Sequence, residues 1–90
     1  MIEAIIIGRN NKLIPITVKS LSEITARRIV FKDIDTARKY MKYIFNTRKI
    51  RSIALINIEA IEQYQDLRQL LKESGYHEYK YLVKVRFKRT

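Results

Sequence analysis

Apolar and polar positions change period several times along the chain, and each change marks a new element. Ile2 to Gly8 is isoleucine-rich, with apolar side chains at both odd and even positions and a glycine at its end. Such a strand belongs inside a sheet, covered on both faces. Arg9-Asn10-Asn11-Lys12 follows as a polar turn whose asparagines tolerate positive φ. Leu13 to Lys19 returns as a second strand, and Pro15, which has no N–H to donate, places it at a sheet edge. The two strands make a hairpin. Ser20 to Glu23 is a second turn. Ile24 to Lys32 then reads as a third strand with imperfect alternation, Ile29 and Phe31 on one face and Ala26 and Val30 on the other.

The period lengthens at Asp33. A helix starting near Asp33 or Asp35, whose carboxylates suit free N–H groups, carries Ala37, Tyr40, Met41, Ile44 and Phe45 as one apolar stripe and fades near Arg48 and Lys49. Ser52 to Ile58 is apolar on both sides and reads as a buried fourth strand. A second helix from about Glu59 to Ser74 has Ile61, Tyr64, Leu67, Leu70 and Leu71 as its stripe, with Gly75 as its C-terminal stop. Glu78 to Lys88 alternates most regularly: Tyr79, Tyr81, Val83, Val85 and Phe87 against Lys80, Leu82, Lys84, Arg86 and Lys88. The order β-β-β-α-β-α-β predicts an α+β domain: a two-layer sandwich with a mixed sheet of about five strands and two helices packed on one face. The stretch from Phe31 to Tyr40, a strand end running into a helix with an early alanine, resembles small DNA-reading domains that insert a three-stranded sheet in the major groove. The β-α-β extension departs from that pattern, and no residue role is carried over.

Composition narrows the class. Ninety residues, 47% apolar, with two glycines and one proline, fit a single folded domain over residues 1–90. The absence of cysteine excludes disulfides, thiolate metal sites and a cysteine nucleophile. The N-terminus lacks the basic-then-apolar pattern of a signal peptide, and the longest apolar run, Ala4 to Ile7, is too short to span a bilayer. The expectation is a cytoplasmic protein.

Charge changes the picture most. Nineteen Lys and Arg against nine Asp and Glu give +10 and a pI near 10.1. Solubility alone asks for a net charge of about 2 to 8. The excess is also uneven: the Glu59 to Ser74 helix carries −2, which leaves +12 elsewhere. A polarised positive surface is the electrostatic footprint of a polyanion binder.

Two clusters are candidate contacts. Lys80, Lys84, Arg86 and Lys88 are four of the five outward side chains of the last strand, where positions i and i+2 lie about 7 Å apart, a comb that suits a phosphate backbone. Arg89 joins them. Arg38, Lys39 and Lys42 lie on the polar side of the first helix, and Arg48, Lys49 and Arg51 at its end, in a stretch from Thr36 to Ile58 with six cations and no acidic residue. Tyr43 projects among them as a surface for base stacking. Arg27 and Arg28 put one cation on each face of the third strand. The bland alternatives are a solvated helix face and lysines that blunt a strand edge against aggregation.

Catalysis has little to work with. His77 is the only histidine and lies in a turn. Asp33 and Asp35, with Glu59, form the one carboxylate set that a metal-dependent nuclease would need, but helix capping accounts for both aspartates. No glycine-rich phosphate loop or zinc spacing occurs. The sequence therefore predicts a non-catalytic nucleic-acid-binding protein, for DNA or RNA, without cofactor or metal. The alternative is a module that binds an acidic protein surface, as an inhibitor or assembly factor. A homodimer through an open sheet edge is compatible with either.

Overall fold

The structure is a computed structural model that describes residues 1–89. Five strands, β1 (Ile2–Ile7), β2 (Leu13–Val18), β3 (Arg28–Phe31), β4 (Ile50–Asn57) and β5 (Tyr81–Phe87), form one sheet with the order β2-β1-β3-β5-β4. Helix α1 (Ile34–Thr47) joins β3 to β4, and α2 (Gln65–Glu73) lies between β4 and β5. The α+β class, the five strands, the two helices and their order along the chain agree with the sequence reading.

Two features of the architecture differ from it. Every pair of neighbouring strands is antiparallel, so the sheet is not mixed. Helix α1, about 21 Å long, returns the chain to the end of the sheet where β3 began. β4 therefore runs in the direction of β3, but β5 arrives from the far end and fills the slot between them. The helices also take opposite faces rather than one. Ala37, Tyr40 and Ile44 of α1 pack on Ala4, Ile29, Phe31, Val83 and Val85. Leu67 and Leu71 of α2 pack on Ile5, Ile7, Val30 and Leu82. The inner strands carry apolar side chains on both faces, so a single helical layer would leave Ile5, Val30 and Leu82 in water.

The local chemistry explains the boundaries. Asn10 (φ 58°) and Asn11 (φ 57°) make the β1–β2 turn in the left-handed region. Arg28 clamps that turn, donating to Gly8 O at 2.8 Å and Asn11 Oδ1 at 3.0 Å. β3 is shorter than Ile24 to Lys32 because Ala26 is bonded elsewhere. The buried Tyr40 hydroxyl accepts from Ala26 N–H and stands within donating distance of its carbonyl, both at 3.2 Å. Asp33 caps α1 by accepting from Thr36 N at 3.1 Å. Asp33→Ala is expected to cost about 1 kcal/mol, read as a lower midpoint in urea. Gly75, at φ +84°, closes α2 with Tyr76 N–H donating to Leu71 O at 2.7 Å and Gly75 N–H to Lys72 O at 3.1 Å. Gly75→Ala is expected to cost about 1 kcal/mol or more, by the same measurement.

Two elements sit differently from their expected places. β4 is an edge strand with half-buried and exposed side chains, not a buried one. Its apolar residues meet the helical layers, but among the described residues no sixth strand covers it. α2 starts at Gln65 rather than Glu59, because Asn57 Oδ1 accepts Glu59 N–H at 3.0 Å and turns the chain out of helical geometry. A short 3-10 turn, Glu62–Tyr64, leads into the helix and leaves Ile61 exposed.

Candidate nucleic-acid interface

The strand directions collect the cations at one end of the sheet. β1 ends there and β2 begins there, so their turn contributes Arg9 and Lys12. β3 and β4 begin there and β5 ends there. That end accordingly carries Arg27, Arg28, Arg48, Lys49, Arg51, Lys84, Arg86, Lys88 and Arg89. Within it, Arg27, Arg51, Arg86, Lys88 and Arg89 line a recess of about 270 Å³ together with Val85 and Phe87, and no Asp or Glu side chain lines it.

Backbone bonds hold the parts of this recess together. Val85 N–H donates to Arg27 O at 2.7 Å, and Lys88 N–H to Lys49 O at 3.0 Å. A register shift between Ile50 and Ser52 sets Arg51 out of the regular ladder beside Arg86. Arg48, which caps the C-terminal end of α1, donates to Thr25 Oγ1 at 3.2 Å. The nearest acidic residue in the sequence before Arg27 is Glu23, which accepts the N–H groups of Lys19 and Ser20 instead.

The ion pairs of the described residues lie towards the opposite end: Lys32–Glu3 at 3.3 Å, Lys80–Glu59 at 3.7 Å and Arg38–Asp35 at 3.8 Å. The Glu3 carboxylate, through its hydrogen bond to the ammonium, is the main reason that the Lys32 pKa lies above the ordinary lysine value. The charge separation anticipated from the acidic second helix is therefore a separation along the strands. Most of the cations outside those pairs gather at one pole, while Lys19, Lys39, Lys42, Arg68 and Lys72 lie elsewhere.

The candidate residues divide accordingly. Arg51, Arg86 and Lys88 share the recess, with Lys49 bonded to its rim and Lys84 one row further up the sheet. Arg27 and Arg89 complete it. The sequence comb is interrupted, because Leu82 is buried under α2 and Lys80 is paired with Glu59. Lys84 stands 3.5 Å from the Tyr64 hydroxyl. Arg38 and Lys42 line a different recess, against Phe45. Lys39 is exposed on α1 and lines neither. Tyr43 is half-buried against the core rather than a free stacking surface, since it lies three residues from Tyr40 on the inward side of α1. Arg28 is spent on the β1–β2 turn. The sequence named Arg27 and Arg89 as cations, but they flank strand ends that only the antiparallel pairing of β3 with β5 brings together.

The carboxylates considered for metal binding stay apart. Asp33 caps α1, Asp35 lies near Arg38 and Glu59 near Lys80. Among the described residues no group of three or more His, Asp or Glu side chains is placed to hold a metal ion. Among those residues no helix is long and apolar enough to cross a membrane. The strands that lead into α1 do lie side by side as β2-β1-β3, but β5 extends the sheet and α2 covers part of its second face. No open three-stranded reading face results. No protein-family model, curated protein or solved structure matches the chain.

Proposed function

We infer that the protein binds nucleic acid through the basic pole, by contacts to the phosphate backbone. One observation carries the reading: five cations from three separate segments converge on one recess that, among the described residues, no Asp or Glu lines. Packing does not call for this, since like charges held together oppose folding. A polyanion relieves that repulsion and releases its own counterions. Arginine predominates in the recess, and its planar fork suits phosphate oxygens. Backbone contacts position a ligand without reading bases, so sequence preference is weak.

Titration of labelled single- and double-stranded DNA and RNA, followed by fluorescence anisotropy at about 50 mM salt, tests the reading. Micromolar or tighter binding is expected, and the ranking of ligands names the class. Lys84→Ala with Arg86→Ala is expected to weaken binding with little change in melting temperature. Unchanged affinity in that double variant would remove β5 from the interface.

A further inference from the structure

The two edges of the sheet are built differently. β2 carries Pro15 in its middle and is flanked by Lys12 and Lys19, features that discourage pairing with another strand. β4 has the uninterrupted, uncharged run Ser52-Ile53-Ala54-Leu55-Ile56. Its outward backbone groups can be assigned. Val85 N–H donates to Arg27 O, so odd positions of β5 turn towards β3 and even ones towards β4. The partners of the even positions, Ser52, Ala54 and Ile56, spend their N–H and C=O groups on β5. Ile53 and Leu55 turn theirs to solvent.

Apolar recesses flank this edge on both faces. On the α1 side, Met41, Phe45 and Ile53 line one of about 310 Å³, with Arg38 and Lys42 beside them. On the α2 side, Ile56, Ile61 and Tyr64 line another of about 390 Å³. Phe45 is 66% exposed and Ile61 40%. An extended chain laid along β4 would cover both recesses and satisfy the open backbone groups, the arrangement of strand addition.

We propose that the β4 edge docks an extended acidic segment of a partner protein, which adds a sixth strand. Its apolar side chains enter the Phe45 and Ile61 recesses, and its carboxylates meet Lys42 and, in competition with the exposed Asp35 at 3.8 Å, Arg38. Charge selects this occupant over a second copy of the chain. Two β4 edges paired antiparallel about a two-fold axis put both α1 helices on one face, so Arg38 and Lys42 approach their own counterparts across a pair of +10 molecules. The proposal is independent of the basic pole, whose recess contains none of these residues.

The test uses the full chain and a capped octapeptide with Val-Ile-Val-Ile between paired glutamates, and its counterpart with lysines for the glutamates. Amide exchange is followed by NMR. The glutamate peptide is expected to slow exchange at Ile53 and Leu55 by at least ~tenfold. The lysine peptide and the Phe45→Ser chain are each expected to bind at least ~tenfold more weakly. No protection by the glutamate peptide, or equal binding of the two peptides, would overturn the proposal. So would Ile53 and Leu55 already protected in a peptide-free dimer, which would make the second copy the occupant.

Discussion

Tyr40→Ala is expected to remove a large share of the folding stability of this domain. The side chain is fully buried, with its ring 5.5 Å from that of Phe31. Truncating a buried aromatic to alanine costs about 3–5 kcal/mol, from a total of about 5–15 kcal/mol for a small domain. The hydroxyl has its own share. Tyr40→Phe keeps the packing but strips Ala26 of a partner for its N–H and carbonyl, at about 1–3 kcal/mol. Ala26 precedes Arg27, so this variant also loosens one wall of the basic recess. Urea unfolding of the three proteins orders them wild type, Phe, Ala.

Alkaline pH separates the hydroxyl from the ring. Burial raises the Tyr40 pKa above its ordinary value of 10.0, against the lowering effect of the Ala26 hydrogen bond and Arg48. The folded state therefore resists ionisation of this phenol more than the unfolded chain does. The stabilisation it brings is whole below about pH 10, the unfolded value, and drains away as pH climbs through the higher folded value. The stability gap between wild type and Tyr40→Phe is expected to narrow above that pH.

The second large effect is on binding. Replacing Arg51, Arg86 and Lys88 together with glutamine is expected to cut nucleic-acid affinity by about 1,000-fold at low salt, at roughly tenfold for each phosphate contact. All three are at the surface, so the fold loses little, and relief of like-charge repulsion favours the native state. The same exchange at Arg38, Lys39 and Lys80, outside the recess, is expected to change affinity far less. The comparison separates a localised site from mere net charge.

Some of this was legible in the residues and some was not. The Asn10-Asn11 turn, the Pro15 edge strand, the Asp33 cap and the Gly75 stop each follow from the chemistry of one or two side chains, and the structure has them. Strand order does not work that way. Isoleucine at both parities in β1 announced two covered faces, but the same signal in Ile53 to Ile56 belongs to an edge strand beneath two overhanging layers. Phe45 continues the helical stripe of Tyr40, Met41 and Ile44, yet it projects beyond the sheet because β4 is the last strand. The candidate site suffered from the same gap. The alternation of β5 put Lys84 and Arg86 on the exposed side of the strand, where the structure has them, but only the antiparallel pairing of β3, β5 and β4 brings Arg27 and Arg51 to Arg86.

The most direct test of the basic pole as a phosphate surface is the salt dependence of duplex binding in wild type and in the Arg51, Arg86, Lys88 triple variant. With about five phosphates neutralised, log K is expected to fall with log salt at a slope near −4.5. Raising salt from about 50 to 200 mM then weakens binding by roughly 500-fold. Removing three contacts is expected to flatten the slope to about −1.8. Equal slopes in the two proteins, or no binding by wild type even at the lower salt, would contradict the account.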